Sequence, residues 1–345
     1  MSIRKSLAAL VAGTIVALSA GAIAKAAEEV NVYSYRQPAL IKPLFDKFTA
    51  ESGIKVNVLF AKKGLAERLQ AEGLNSPADL IFTTDIGRLT DVKNAGLTQA
   101  ITNQVLSANV PAKYRDPEGH WFGLTTRTRA IFASKDRVKP SEITTYEALA
   151  DPKWQGRICI RSGAHPYNVA LIASMIARHG EVAAEEWLRG FKANLARKPQ
   201  GNDRAQVKAV YAGECDIALA NSYYFGKMLA KDDQKAWANS VNIIFGAQAS
   251  YGAHMNLSGM AMAAHSPNEA NAIKLMEFLV SDEAQSIYAE QNYEYPVKPG
   301  VAWSPLLESW GRFKQDDMPL QAIAENRAKA LKLVQKVRFD DGPES

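Results

Sequence analysis

The sequence predicts an α/β protein of two lobes with a cleft between them, and three observations carry that expectation. The first is an ordered run of strand and helix patterns near the start. The second is a separate α/β unit in the middle of the chain. The third is an isolated strand pattern that returns late. About 320 residues remain once an N-terminal leader is set aside, more than one hydrophobic core usually serves.

The opening run reads β-α-β-α-β. EVNVYSY is rich in β-branched and aromatic residues and reads as a strand, and ALIKPLFDKFTAESG has helical apolar spacing closed by Gly53. IKVNVLFAK is a second strand, GLAERLQAEGLNSP a second helix, and ADLIFTTD a third strand ending in a polar turn. Single helical connections imply a largely parallel sheet whose ligands gather at the carboxyl ends of the strands. Asp79 and Asp85 read as a strand-edge cap and a turn residue on a loop bordering that region.

HWFGLTTRTRAIFASKD then reads as one long strand with Arg127 and Arg129 two residues apart, hence on one face. WQGRICIRSG is a strand running into a polar loop, and HPYNVALIASMIARHG begins a helix that Gly180 stops. AEEWLRGFKANL and DRAQVKAVYAG are amphipathic helices before the strand CDIALANS, so a second α/β unit spans about residues 130–253. NLSGMAMAAH is the late strand, followed by helices near Pro267 and Asp282. Its simplest place is back in the first sheet, which makes the backbone cross between lobes more than once and forms a hinge.

The leader itself is MSIRKSLAALVAGTIVALSAGAIAKAAEE, with Arg4 and Lys5 ahead of an apolar run and Ala24-Lys25-Ala26 as a small-x-small cleavage pattern. Residues 1–26 are therefore expected to be a signal peptide, too short in its apolar part to span a bilayer. The formal charge of +5 falls to +2 when Arg4, Lys5 and Lys25 leave with it. That balance argues for neither nucleic acid nor a membrane surface. Cys159 and Cys215 sit in short apolar runs of an exported chain, and a disulfide or two buried thiols are both open. G-x-S-x-G, H-E-x-x-H and a phosphate loop are all missing from the sequence, which weakens any enzyme reading.

The stretch with the sharpest chemistry is GECDIALANSYYFGK, where Tyr223 and Tyr224 follow a buried strand. With VYSYRQ, GLTTRTRAIFASKD, RSGAHPYNVALIAS and NLSGMAMAAHSPN, it resembles the periplasmic ferric-iron-binding proteins, the substrate-binding subunits of iron ABC importers. The resemblance covers essentially the whole mature chain. It implies a type II periplasmic binding-protein fold: two mostly parallel sheets joined by a β-strand hinge, with residues 28–128 and 256–300 in one lobe and 129–255 and 301–345 in the other. It further implies a monomer in the periplasm that carries Fe³⁺ to an inner-membrane ABC permease and has no catalytic role.

On the same basis Tyr223 and Tyr224 match an adjacent ligand pair and Tyr167 a third ligand from the same lobe. Chemistry agrees, because Fe³⁺ is a hard cation that prefers anionic oxygen, and its charge can drive the proton from a phenol. Neighbouring strand residues point to opposite faces, so the pair can share one ion only if the chain turns there. The structural alternative is an aromatic pair capping a strand. Arg127 matches an arginine that holds a synergistic anion such as carbonate, and Ser162 and Gly163, ahead of the Tyr167 helix, could add backbone N–H contacts to it. Where relatives carry a histidine or tyrosine from the first lobe, this chain has Gln37. Tyr35 is then a fourth candidate ligand, or three tyrosines are completed by anion and water. The competing reading is a same-fold binding protein for a small organic anion, with Arg127 as the anchor.

Overall fold

The computed structural model describes residues 28–344, and the expected leader lies outside them. Among the described residues the strands are β1 (Glu29–Ser34), β2 (Lys55–Phe60), β3 (Leu80–Thr83), β4 (Phe122–Ser134), β5 (Ile158–Cys159), β6 (Ile217–Asn221), β7 (Val241–Ile244), β8 (Met255–Met262) and β9 (Tyr295–Pro296). The opening β-α-β-α-β run is present, with the helix Pro38–Ser52 stopped by Gly53 in the left-handed region at φ 72°. β1 pairs in parallel with β2 and β3, as single helical crossovers require.

The sheets are mixed rather than mostly parallel. β8 joins β3 antiparallel, and β4 runs antiparallel to β6, β7, β8 and β9. The reason is that the late strand returns from the other lobe instead of through a helical crossover, so it enters the sheet in the opposite sense. Strand order is β2-β1-β3-β8-β4-β6-β5, with β7 and β9 also on β4.

β4 is the strand shared by the two parts of the sheet. Its residues up to Thr128 lie against β8, with Thr128 opposite Met255, and from Arg129 onward it lies against β6, with Arg129 opposite Asn221. All thirteen of its residues are buried, which fits a strand covered on both sides. Tyr146 pins this junction, donating its hydroxyl to the Arg129 carbonyl at 2.7 Å and accepting the His254 N–H at 3.1 Å.

Each lobe buries its own apolar cluster. One gathers Val30, Val32, Leu44, Phe82, Met260 and Leu275, and another gathers Ala130, Phe132, Val207, Ala218 and Met228. The third and largest includes Leu89, Leu257, Leu171, Leu188, Leu320 and Leu333. Through it the C-terminal helix Leu320–Glu325 packs against both the helix Ile86–Asn94 and the helix Pro166–His179.

Cys159 and Cys215 form a disulfide across 56 residues. It ties two-residue β5 to the turn that enters β6, the strand leading to the tyrosine pair. Loop-closure entropy for a loop of that length is about 4 kcal/mol. Reduction is expected to lower the urea midpoint correspondingly, measured with and without a phosphine reductant. A change below about 1 kcal/mol would show that the unfolded chain gains little freedom from the cut.

Candidate functional site

A cleft of about 440 Å³ opens between the lobes, and its wall is built from the loops that follow β1, β3, β5 and β6, the end of β2 at Phe60, and mid-strand residues Arg127 of β4 and Ser258 of β8. β6 stops at Asn221 and a helix, Ser222–Leu229, begins at once. Tyr223 and Tyr224 therefore sit in the first helical turn, about 100° apart around the axis instead of opposite each other on a strand. This is the turn that two ligands for one ion require. Their rings lie 4.3 Å apart at 35°. A Cβ on Gly226 would collide with the Tyr293 ring, so the bare glycine lets that ring brace the tyrosine helix.

Tyr167 arrives from the other side, in the first turn of the helix Pro166–His179, and its hydroxyl stands 3.2 Å from that of Tyr223. His165 caps this helix, its Nδ1 accepting the Tyr167 N–H at 3.3 Å with its ring edge-on to the Tyr167 ring. Burial and then the Arg161 charge push the His165 imidazole down to about 3, so it is neutral there. Burial, then the Tyr167 and Tyr224 phenols, raise Tyr223 well above the usual value for tyrosine, and burial, then Tyr167 and the Asp203 carboxylate, raise Tyr224. In the metal-free protein both are protonated at neutral pH.

Two buried ionic networks hold these groups. Arg129 donates to Asp203 at 2.6 Å, to Asn221 at 3.1 Å and to Asn168 at 2.8 Å, while Arg161 reaches the other Asp203 oxygen at 3.1 Å. Asp203 also accepts the Asn221 N–H at 2.8 Å, so one carboxylate fixes the residue before the tyrosine helix and, through Arg129 and Asn168, the Tyr167 helix. The second network pairs Arg36 with Glu294, adds Ser258 at 2.7 Å from Arg36 and 3.3 Å from Arg127, and takes Thr125 at 3.1 Å on Glu294.

Burial alone would raise the Asp203 carboxyl, but Arg129 and Arg161 beside it hold it below its ordinary range. A depressed folded value means stability that is present above the unfolded carboxylate pKa of about 3.9 and lost as pH falls through the folded one. Asp203→Asn should remove about 3 kcal/mol at pH 7, because it takes the carboxylate from the buried Arg129 guanidinium and from the half-buried Arg161. Urea unfolding at pH 7 and pH 3 checks this: the gap between parent and variant should narrow in acid, and a constant gap would contradict the assignment.

Arg127 lies with its guanidinium carbon 5.7 Å from the Tyr167 ring centre, facing the cleft. Eight cationic side chains line the cleft, Arg36, Lys62, Arg88, Arg127, Arg161, Arg204, Lys227 and Lys231, against the single carboxylate Glu294. A ligand with net negative charge is therefore favoured here. Among the described residues no group of three or more histidine, cysteine or carboxylate side chains is arranged for a metal, so a cation in this cleft would meet phenolic oxygen.

Residues 75–314 match the model of a family described as bacterial extracellular solute-binding protein. The chain belongs to this family. Among curated members it is 45% identical over 310 residues to iron uptake protein A1 of Synechocystis, covering 89% of this chain and 86% of that one. It is 27% identical over 320 residues to the major ferric iron-binding protein of Neisseria meningitidis, at 90% and 93% coverage. The apo ferric ion-binding protein A of Pasteurella haemolytica superposes with a TM-score of 0.89 at 51% identity, over 92% of this chain and all of that one. A Trichodesmium protein solved with iron and citrate ligands gives 0.85 at 44%, over 90% and 99%. The two-lobed α/β fold of these binding proteins is the fold of this chain.

Within this solute-binding frame, six expected positions need comment. Gln37 lines the cleft as the residue ahead of the helix Pro38–Ser52. Tyr35 also lines it, but Arg88 stacks on its ring at 4.3 Å and its hydroxyl accepts the Ala66 N–H at 3.0 Å, contacts that support strand-end packing. Ser162 and Gly163 do not line the cleft. They hold the carboxylate of Asp340, at 2.5 Å from the serine hydroxyl and 2.6 Å from the glycine N–H. Asp79 and Asp85 are caps, Asp85 accepting the Arg88 N–H at 3.1 Å at the head of the helix Ile86–Asn94.

Sequence reasoning missed Arg36, Glu294, Arg161 and Arg204. Arg36 alone carried a signal, since it stands between Tyr35 and Gln37 at a strand end. Its partner Glu294 lies 258 residues away and nothing local connects them.

Proposed function

We propose that this protein captures Fe³⁺ in the interlobe cleft through the phenolates of Tyr167, Tyr223 and Tyr224 and delivers it to an ABC permease from the periplasm. The observation that carries the reading is the convergence of three phenols, two of them with hydroxyls 3.2 Å apart, in a cleft rich in guanidinium groups. Several phenolates crowded together repel one another and any carboxylate, but suit a trivalent cation. Ferric iron in the names of relatives at 27% identity, and iron uptake in those at 45%, points the same way.

The remaining coordination positions go to a small anion such as carbonate, with Arg127 as its anchor, and to water. Tyr35 stays with its packing role, and Gln37 borders the site without supplying an anionic oxygen. The lobes, taken as residues 28–128 with 256–300 and 129–255 with 301–345, close over the ion as a monomer, and the closed surface is what the permease reads. Closure is driven only by the difference in affinity between closed and open states.

The excess of cations in the cleft also favours a second reading, a metal-free organic anion as the ligand. Titration of the mature protein separates them. Fe³⁺ with bicarbonate should bind one ion per chain in competition with a chelator, while metal-free citrate should give no comparable heat. Arg127→Ala should weaken the iron complex in a way that added bicarbonate does not restore. Tight binding of the carboxylate alone, with no further effect of iron, would give the site to the organic anion.

A further inference from the structure

We infer that Asp340, in the C-terminal segment, is a positioning residue for Tyr167, acting through the loop Ser162–Pro166; this rests on the ferric-tyrosinate reading above. The Asp340 carboxylate receives two neutral donors from that loop, the Ser162 hydroxyl and the Gly163 N–H. Ser162 passes the constraint on, its Oγ accepting the Ala164 N–H at 3.2 Å and its carbonyl accepting the His165 N–H at 3.1 Å. His165 then caps the helix at Tyr167 itself. From the opposite side Asn168 bonds the carbonyls of Arg161 and Ser162, both at 3.0 Å, and is held by Arg129. The loop is thus clamped between a C-terminal carboxylate and the buried Arg129 network, with the Tyr167 phenol as its output.

The C-terminal segment is built to deliver that carboxylate. Arg338 takes a left-handed turn at φ 52°, which starts the short helix Phe339–Asp341. Phe339 is 1% exposed and meets Phe191 edge-on at 5.4 Å. A Cβ on Gly163 would lie 2.7 Å from its ring, so glycine there is what lets the strap approach the loop. Gly342, at φ 84°, lies where a Cβ would come within 2.8 Å of the Lys198 backbone and seats the far end. A carboxylate suits two converging donors, whereas an amide presents one acceptor and one donor to them.

The test is a double-mutant cycle on the full mature chain. Asp340→Ala and Tyr167→Phe are made singly and together, with Fe³⁺ affinity read by chelator competition, the visible spectrum of the loaded protein recorded, and thermal unfolding followed without metal. Groups that orient a metal ligand typically contribute 10–100-fold to affinity, and about tenfold is expected here because Asp340 acts through a loop. That loss, with a shifted visible band, should appear beside Tyr167 and vanish in the Tyr167→Phe background. Unchanged affinity in Asp340→Ala overturns the inference. So does an equal loss with and without Tyr167, or a lowered melting temperature with unaltered iron binding, either of which makes the strap purely structural. Ser162→Ala removes one of the two bonds at small structural expense and should give a smaller loss of the same kind if Asp340→Ala fails to fold; no change in affinity for that variant also overturns it. A parent chain that takes up no iron overturns the ferric reading itself, which an inert Asp340→Ala does not.

Discussion

Tyr223→Phe should lower Fe³⁺ affinity by about a thousandfold while leaving the fold intact. One unit charge pair at about 4 Å in an effective dielectric of about 20 is worth about 4 kcal/mol, and tenfold in affinity corresponds to about 1.4 kcal/mol. A phenolate in contact with a trivalent ion is closer and more highly charged than that pair, and the excess offsets the cost of ionising the phenol at neutral pH. The ring survives the substitution, and with it the 4.3 Å contact to Tyr224. Tyr224→Phe should behave alike, and Tyr35→Phe, whose hydroxyl serves Ala66, should change affinity by less than tenfold. Chelator competition measures all three. Less than a tenfold loss for Tyr223→Phe would remove it from the ligand set.

Iron affinity should fall by about a hundredfold for each pH unit of acidification through the neutral range, from Tyr223 and Tyr224 alone. Both phenols are raised above the ordinary tyrosine value, first by burial and then by their neighbours, so both carry protons in the metal-free protein. A bound ferric ion requires both ionised. Each binding event therefore releases a proton from each, and apparent affinity climbs two decades per pH unit as long as pH stays below their free values. Calorimetry in buffers of different ionisation heat counts these protons directly. A count near zero would mean that the phenols are not ionised by the ligand.

Much of this architecture could be read from local pattern. The helix ended by Gly53, the long β4 and the late return of β8 all carry period and punctuation that a chain segment displays by itself. Strand direction in the centre of the sheets did not, because β8 enters from the other lobe and its sense is set by chain path rather than by residues 255–262. The tyrosine pair was legible as a candidate site but not in conformation: the strand pattern of CDIALANS gives way to helix at Ser222, and that switch is what turns two neighbours toward one point. Ser162 and Gly163 had the composition of an anion loop, and they do hold an anion, but it is Asp340, 178 residues away from Ser162. The disulfide stayed open in the sequence for the same kind of reason, since Cβ proximity across 56 residues is a tertiary fact.

The central claim, that phenolate oxygens of Tyr167, Tyr223 and Tyr224 take up ferric iron, is tested most directly by the visible spectrum of the purified mature protein before and after ferric citrate. A tyrosinate-to-iron charge-transfer band should appear at one iron per chain and should be lost or shifted in Tyr223→Phe and Tyr224→Phe. A protein that stays colourless at saturating iron, or whose colour is indifferent to both substitutions, would contradict it.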